Sequence, residues 1–224
     1  VLFLGAGSAG LGIAGMLAAA MEMEGCPSGE ARGRIALMDV HGLLTASRTD
    51  LTPEQRVYAR QDLPEGGLPE VVGAFQPTIL IGVSTVGGAF TQETVEAMAR
   101  LNRRPVIFAL SNPTDHAECT AEQAYRWSCG RAVYAAGVQF SPVQLGKTTF
   151  VPGQANNFYI FPAVGLAVWA VRARLIPDEA FVEAAHAVAE QVTAERLAQG
   201  TLFPLQADIL QVEVRAAVRV AGLL

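Results

Sequence analysis

With 224 residues, 51% of them hydrophobic and 17% charged, the chain is long and apolar enough to fold as a globular unit with a substantial core. A net charge of −5, with the arginines scattered and no basic stripe, excludes a nucleic-acid partner. The most apolar runs, Val1–Leu4, Thr78–Val83 and Ile160–Val171, are short or interrupted by Gly and Pro, which excludes a membrane span.

The first of those runs breaks into Gly5, Ala6, Gly7, Ser8, Ala9 and Gly10 and continues as Leu11–Met21, a stretch that a helix can bury. Strand, glycine loop and helix in that order form a dinucleotide fingerprint. Gly5 permits the tight turn, Gly7 lets backbone N–H groups approach a pyrophosphate, and Gly10 lets the helix pack closely on the sheet. The helix start adds free N–H groups and a partial positive charge. No initiator Met precedes this strand, so the sequence reads as part of a longer protein.

Met23–Gly33 is polar and Gly-rich and reads as an insertion before a second strand, Arg34–Met38, which ends at Asp39. An acidic residue at that point accepts hydrogen bonds from the adenosine ribose hydroxyls. Thr52–Gln55 is a capping box with Pro at the first helical position and predicts a short helix through about Arg60. A loop over Asp62–Pro69, a helix over Pro69–Phe75, a buried strand over Thr78–Val83 and a glycine-rich loop over Ser84–Phe90 follow. Thr91–Leu101 is an amphipathic helix, and Pro105–Leu110 a strand that runs into Ser111-Asn112-Pro113-Thr114. A second capping box, Thr120–Gln123, opens a helix to about Trp127, and Ala132–Ala136 is expected to be the last strand.

Apolar strands alternating with helices predict an α/β fold over residues 1–140, a Rossmann-type doubly wound parallel sheet. Ligands of such sheets sit beyond the carboxyl ends of the strands. That rule gathers Gly5–Gly10, Asp39, Val83, Ser84, Ser111 and Asn112 into one candidate cofactor site. Residues 141–224 turn helical: Pro152–Asn157 introduces an apolar helix to about Arg174, with Pro162 in its first turns. Helices over Pro177–Gln199, with a break signalled near Thr193, and over Leu205–Gly222 complete an expected helical extension. Cys26, Cys119 and Cys129 have neither C-x-x-C spacing nor His partners, so a disulfide framework and a zinc site are both unsupported; a cytoplasmic setting fits.

Six segments together resemble the NAD(P)-binding domain of malic enzymes, which oxidatively decarboxylate L-malate to pyruvate. They are Phe3–Gly10, Asp39 with Gly42–Leu44, Pro77–Val83, Pro105–Thr114, Ala117–Tyr125 and Pro152–Pro162. Phe108–Thr114 and Pro152–Asn157 are the most specific of these. The resemblance implies that Asn112, Asn156 and Asn157 lie at the nicotinamide ribose and the malate carboxylates, where an amide orients a ligand without adding charge. Asn112 is at the same time the turn residue before Pro113, and Asn156 also reads as a helix cap. The chain departs from the family pattern at Ala135–Phe140, where two hydroxyls are missing, and at Ala155, where Gly is usual.

The resemblance also implies that the base lysine, the acid tyrosine and the carboxylates that hold Mg²⁺ or Mn²⁺ all precede the glycine loop, leaving this chain without catalytic residues or metal ligands. Lys147, the sole lysine, falls in a polar turn and reads as solvated, and His41, His116 and His186 lack metal-ligand spacing. NAD is expected over NADP, because Asp39 suits a free ribose 2′-OH and Val40-His41 replaces the Ser-Lys pair common in animal NADP forms; Arg56 is the residue that would meet a 2′-phosphate. A homodimer or homotetramer is the implied assembly. Two other readings stand beside malic enzyme: malolactic enzyme, which converts malate to lactate, and a stand-alone dinucleotide-binding module.

Overall fold

Residues 1–224 are described by a computed structural model, in which short apolar runs pair into a seven-stranded sheet. In chain order the strands are β1 (Leu2–Leu4), β2 (Ala36–Asp39), β3 (Gly42–Leu43), β4 (Ile79–Gly82), β5 (Val106–Ala109), β6 (Val133–Ala136), β7 (Val143–Leu145), β8 (Thr148–Phe150) and β9 (Gly153–Gln154). The main sheet runs β3-β2-β1-β4-β5-β6-β9, with every pair parallel except β2–β3; β7 and β8 form a separate hairpin. Order reverses between β1 and β4, so their carboxyl ends open a crevice where a ligand fits.

Alternation along the strands divides the interior. Leu2, Met38, Leu80, Ile107 and Tyr134 face one core, and Phe3, Leu37 and Ile81 face the other. Helices α1 (Ser8–Met23) and α2 (Ser28–Gly33) cover the Phe3 side with the short α3 (Pro53–Arg56) beyond them, while α4 (Leu68–Phe75), α5 (Gln92–Leu101) and α6 (Ala121–Trp127) cover the Leu2 side. The buried stripe of α1 is Gly10, Ala14 and Ala18, one small residue per turn, so the helix lies close against the sheet. Thr52 and Thr120 each form the reciprocal capping box that the sequence announces.

Within the Met23–Gly33 insertion Ala31 is completely buried, and that contact holds α2 in spite of its two glycines. Two expectations are corrected. The helix from Thr52 stops at Arg56, since the backbone of Arg60 is already paired with Leu44 and Ala46. Ala132–Ala136 is not the last strand: β9 pairs with β6 from beyond residue 140, and Phe203 packs on Gly153, where a Cβ would sit 3.0 Å from its ring.

The remaining helices are α7 (Phe161–Val171), α8 (Asp178–Ala189), α9 (Ala194–Ala198) and α10 (Ile209–Leu223). The expected break near Thr193 is real, for its hydroxyl caps α9 by accepting from the Arg196 amide. Helices α7, α8 and α10 form a third core made mostly of Ala and Val, joined by Tyr159, which donates to Pro204 O at 2.7 Å. No helix is long and apolar enough to cross a membrane.

Candidate dinucleotide-binding site

The glycine loop is shaped by what cannot fit beside it. Gly5 has φ +120°, and a Cβ there would lie 2.5 Å from Val83 O. At Gly10 a Cβ would overlap the carbonyl of Gly5, so only glycine lets α1 begin this close to β1. Gly7 has nothing within 4 Å of its Cβ position, which leaves room for a ligand against the backbone. The amides of Ser8, Ala9 and Gly10 open α1 without a protein acceptor, as an anion-binding helix start requires. Gln55 steadies the loop: its Oε1 accepts from Thr52 N at 3.0 Å and its Nε2 donates to Ala6 O at 3.1 Å.

Gly5, Ala6, Gly7, Asp39, Val83 and Ser84 line one cleft of about 600 Å³, together with Val40, His41, Asp50, Gln55 and Thr85. At its outer rim Asp39 is gripped by Arg48 in a two-point contact, Nη1 to Oδ1 and Nη2 to Oδ2, each 2.8 Å. The His41 amide donates to the same Oδ1 at 2.8 Å. Burial opposes ionisation of Asp39, but the hydrogen bonds from Arg48 and His41 outweigh it and hold the carboxyl below its usual range. Arg48 also reaches Asp50, at 3.0 and 2.6 Å, and pulls that carboxyl down to about 2. Arg56 is exposed, donates at 3.4 Å to the carbonyl of Arg48, and forms no ion pair.

The inner floor is built differently. Ser84, which follows β4, and Ser111, which follows β5, both turn onto Glu118, a carboxylate with no exposed surface. Its Oε1 accepts from Ser84 N and Ser84 Oγ at 2.8 Å each and from Ser111 Oγ at 2.5 Å, while Oε2 accepts from Ser111 N at 3.3 Å. Ser111 Oγ in turn accepts from Thr85 N at 2.9 Å, and Thr85 has φ +59°, an uncommon conformation for a β-branched residue. Ser111 therefore stands behind the cleft wall, buried, and not in it.

Asn112 is exposed after β5 with a cis bond to Pro113, and Asn156 and Asn157 follow β9, so all three leave the carboxyl edge of the sheet. None of them lines the cleft around Gly5 and Asp39. Asn156 does cap: its Oδ1 accepts from Phe158 N at 3.2 Å, at the start of a single 3₁₀ turn, Asn157–Tyr159. Lys147 is exposed in the β7–β8 turn. No three His, Cys, Asp or Glu side chains converge as a metal cage would require. Sequence reasoning missed Arg48 and Glu118, along with Asp50, Gln55 and Thr85 of the cleft lining. Arg48 lies nine positions past Asp39 with no local pattern to mark it, and Glu118 was visible only as part of the Ala117–Tyr125 segment.

A parallel sheet that reverses order beside a glycine loop, with an acid ending the neighbouring strand, defines the class of Rossmann-type dinucleotide-binding domains. Residues 1–224 match the family described as malic enzyme, NAD binding domain, and the chain belongs to the malic enzyme family. It is 46% identical over 223 residues to the NADP-dependent malic enzyme of Columba livia, covering 99% of this chain and 40% of that protein. Against the mitochondrial NADP-dependent malic enzyme of Homo sapiens it is 46% identical over 222 residues, 98% of this chain and 36% of the relative. The chain thus spans about two fifths of the length of these relatives. The crystal structure of malic enzyme from Pyrococcus horikoshii Ot3 superposes with a TM-score of 0.63 at 24% identity, over 84% of this chain and 40% of that one, and agrees in fold.

Proposed function

We propose that this chain is the dinucleotide platform of an enzyme that oxidatively decarboxylates L-malate to pyruvate and CO₂, and that it prefers NADP. The observation that carries the cofactor choice is the rim: Asp39, expected to repel a 2′-phosphate, is offset by Arg48, and beside it stands Arg56 with no carboxylate of its own. The relatives at 46% identity are named as NADP-dependent, which supports the same choice. This reading replaces the expectation of NAD drawn from Asp39 and Val40-His41; the Val40-His41 pair keeps NAD as the second reading.

The bound dinucleotide supplies the hydride acceptor. The chain's own part is to hold and aim: the Ser8–Gly10 amides take the pyrophosphate, Asp39 the adenosine ribose, and Val83, Ser84 and Ser111 shape the inner wall. Asn112, Asn156 and Asn157 orient the nicotinamide ribose and the malate carboxylates. Asn156 spends its carbonyl oxygen on the Phe158 amide, so the group it offers a ligand is an N–H donor, the kind a carboxylate accepts. No cluster of His, Cys, Asp or Glu suits a divalent metal, so no step is routed through one, and no catalytic step is assigned to Lys147; the resemblance to malic enzymes assigns Mg²⁺ or Mn²⁺, the base lysine and the acid tyrosine to the part of the family sequence that precedes the glycine loop. A homodimer or homotetramer, and a reducing compartment such as the cytoplasm for the three free cysteines, complete the reading.

Calorimetric titration with NADP and NAD tests it. NADP is expected to bind at least about 10-fold more tightly, and Arg56→Ala to erase that margin while leaving NAD affinity within about twofold, as loss of one charge-assisted phosphate contact should. Tighter NAD binding would return the choice to the Val40-His41 reading. Product analysis of the intact protein with malate separates pyruvate from the lactate of a malolactic enzyme, and neither product would leave the stand-alone binding module.

A further inference from the structure

The least expected group in the molecule is Glu118. A carboxylate withdrawn completely from water is costly unless its oxygens are met by donors. Here four N–H and O–H donors meet it, two from Ser84 and two from Ser111, and it takes part in no ion pair. The backbone makes room for it: a Cβ at Gly82 would stand 2.7 Å from Glu118 Oε2 and closer still to its Cδ. Neutral donors satisfy the hydrogen bonds, yet they do not cancel the charge.

That charge lies under the carboxyl ends of β4 and β5, in the half of the sheet opposite Asp39. If Asp39 marks the adenosine end, the β4–β6 half takes the nicotinamide. A nicotinamide ring is cationic in the oxidised dinucleotide and neutral in the reduced one. A fixed anion in a poorly solvated floor distinguishes the two, because Coulomb interactions there are less screened than in water.

We propose that Glu118 sets the preference of the site for oxidised over reduced dinucleotide. Its buried negative charge favours the pyridinium form, and its hydrogen bonds to Ser84 and Ser111 hold that charge and both inner loops at a fixed place. Glu118 acts through the floor of the site and is a positioning residue, not a catalytic one. The inference rests on the dinucleotide reading above.

The test compares affinities of the oxidised and the reduced dinucleotide in the intact protein and in Glu118→Gln, by calorimetry and by fluorescence of the reduced form. The ratio of the two affinities is expected to fall about 10-fold toward the reduced form in Glu118→Gln, an effect of the size one poorly screened charge exerts. Glu118→Asp, which keeps the charge, should weaken both forms while holding the ratio within about threefold. Equal weakening of both forms in Glu118→Gln would mean that the residue only supports the loops, and the proposal falls. Should Glu118→Gln fail to fold, the unmutated protein decides with the benzamide analogue of the oxidised dinucleotide, in which a neutral planar ring replaces the pyridinium. The analogue is expected to bind about 10-fold more weakly, and equal binding overturns the proposal. If the unmutated protein binds no dinucleotide in either form, the reading of the site fails together with the proposal; binding with an unmoved ratio sinks the proposal alone.

Discussion

Asp39 lines the cleft and Glu118 lies behind its inner wall, and the two carboxyl groups are satisfied by opposite means. Asp39 sits at the rim, partly solvated, and a two-point contact with Arg48 offsets its charge. Glu118 lies in the floor, meets only neutral donors, and forms no ion pair. At the rim the partner is a long side chain that can be moved or replaced. In the floor the partners are the two loops themselves, so the acid and the shape of the site cannot be varied independently.

The largest expected break of this contrast is Gly82→Ala, which drives a methyl group into the Glu118 carboxylate and should lower stability by about 3 kcal/mol in chemical denaturation, the upper range of overpacking. A loss below about 1 kcal/mol would show that the floor is softer than its geometry implies. Next comes Arg48→Ala, which strands Asp39 with only the His41 amide and should cost about 1–2 kcal/mol, less than a fully buried pair because the rim is partly wet. Acid provides a smaller and graded test. The folded carboxyls of Asp39 and Asp50 lie below their unfolded value of about 4, so the stability they lend is complete above that pH and disappears as pH falls through the lower folded values, about 2 for Asp50. Arg48→Ala should flatten the slope of stability between pH 4 and 2, the window those shifts define. Smallest is Lys147→Ala, an exposed charge without a partner, expected to change stability by less than about 0.5 kcal/mol.

Those same residues show how far the amino-acid order could be read. Local signals at helix starts held: Thr52 and Thr120 form the capping boxes that their spacing announces, and Thr91 caps the helix it precedes. The Gly5 and Gly10 assignments also hold, because their cause is steric and lies within a few residues and one neighbouring strand. What escaped was set by distant contacts. The two residues of β9 are too few to show a period, and only pairing with β6 makes them a strand. Arg48 is one arginine among many until the fold swings it onto Asp39. Glu118 carries the residue type least expected at zero exposure, and the donors that permit it come from Ser84 and Ser111, which are 34 and 7 positions away.

The difference between rim and floor also fixes where this site can change and still work. Val40 is 88% exposed, His41 is exposed too, and the exposed Arg56 touches only the carbonyl of Arg48, so other residues fit at these positions with little disturbance. Gly5, Gly10 and Gly82 have no such latitude, each being closed in by backbone or by Glu118. A search for variants with altered cofactor choice should therefore diversify the three rim positions and leave the glycines alone. The substitutions that survive will be the ones that alter which dinucleotide is held, while the manner of holding it stays the same.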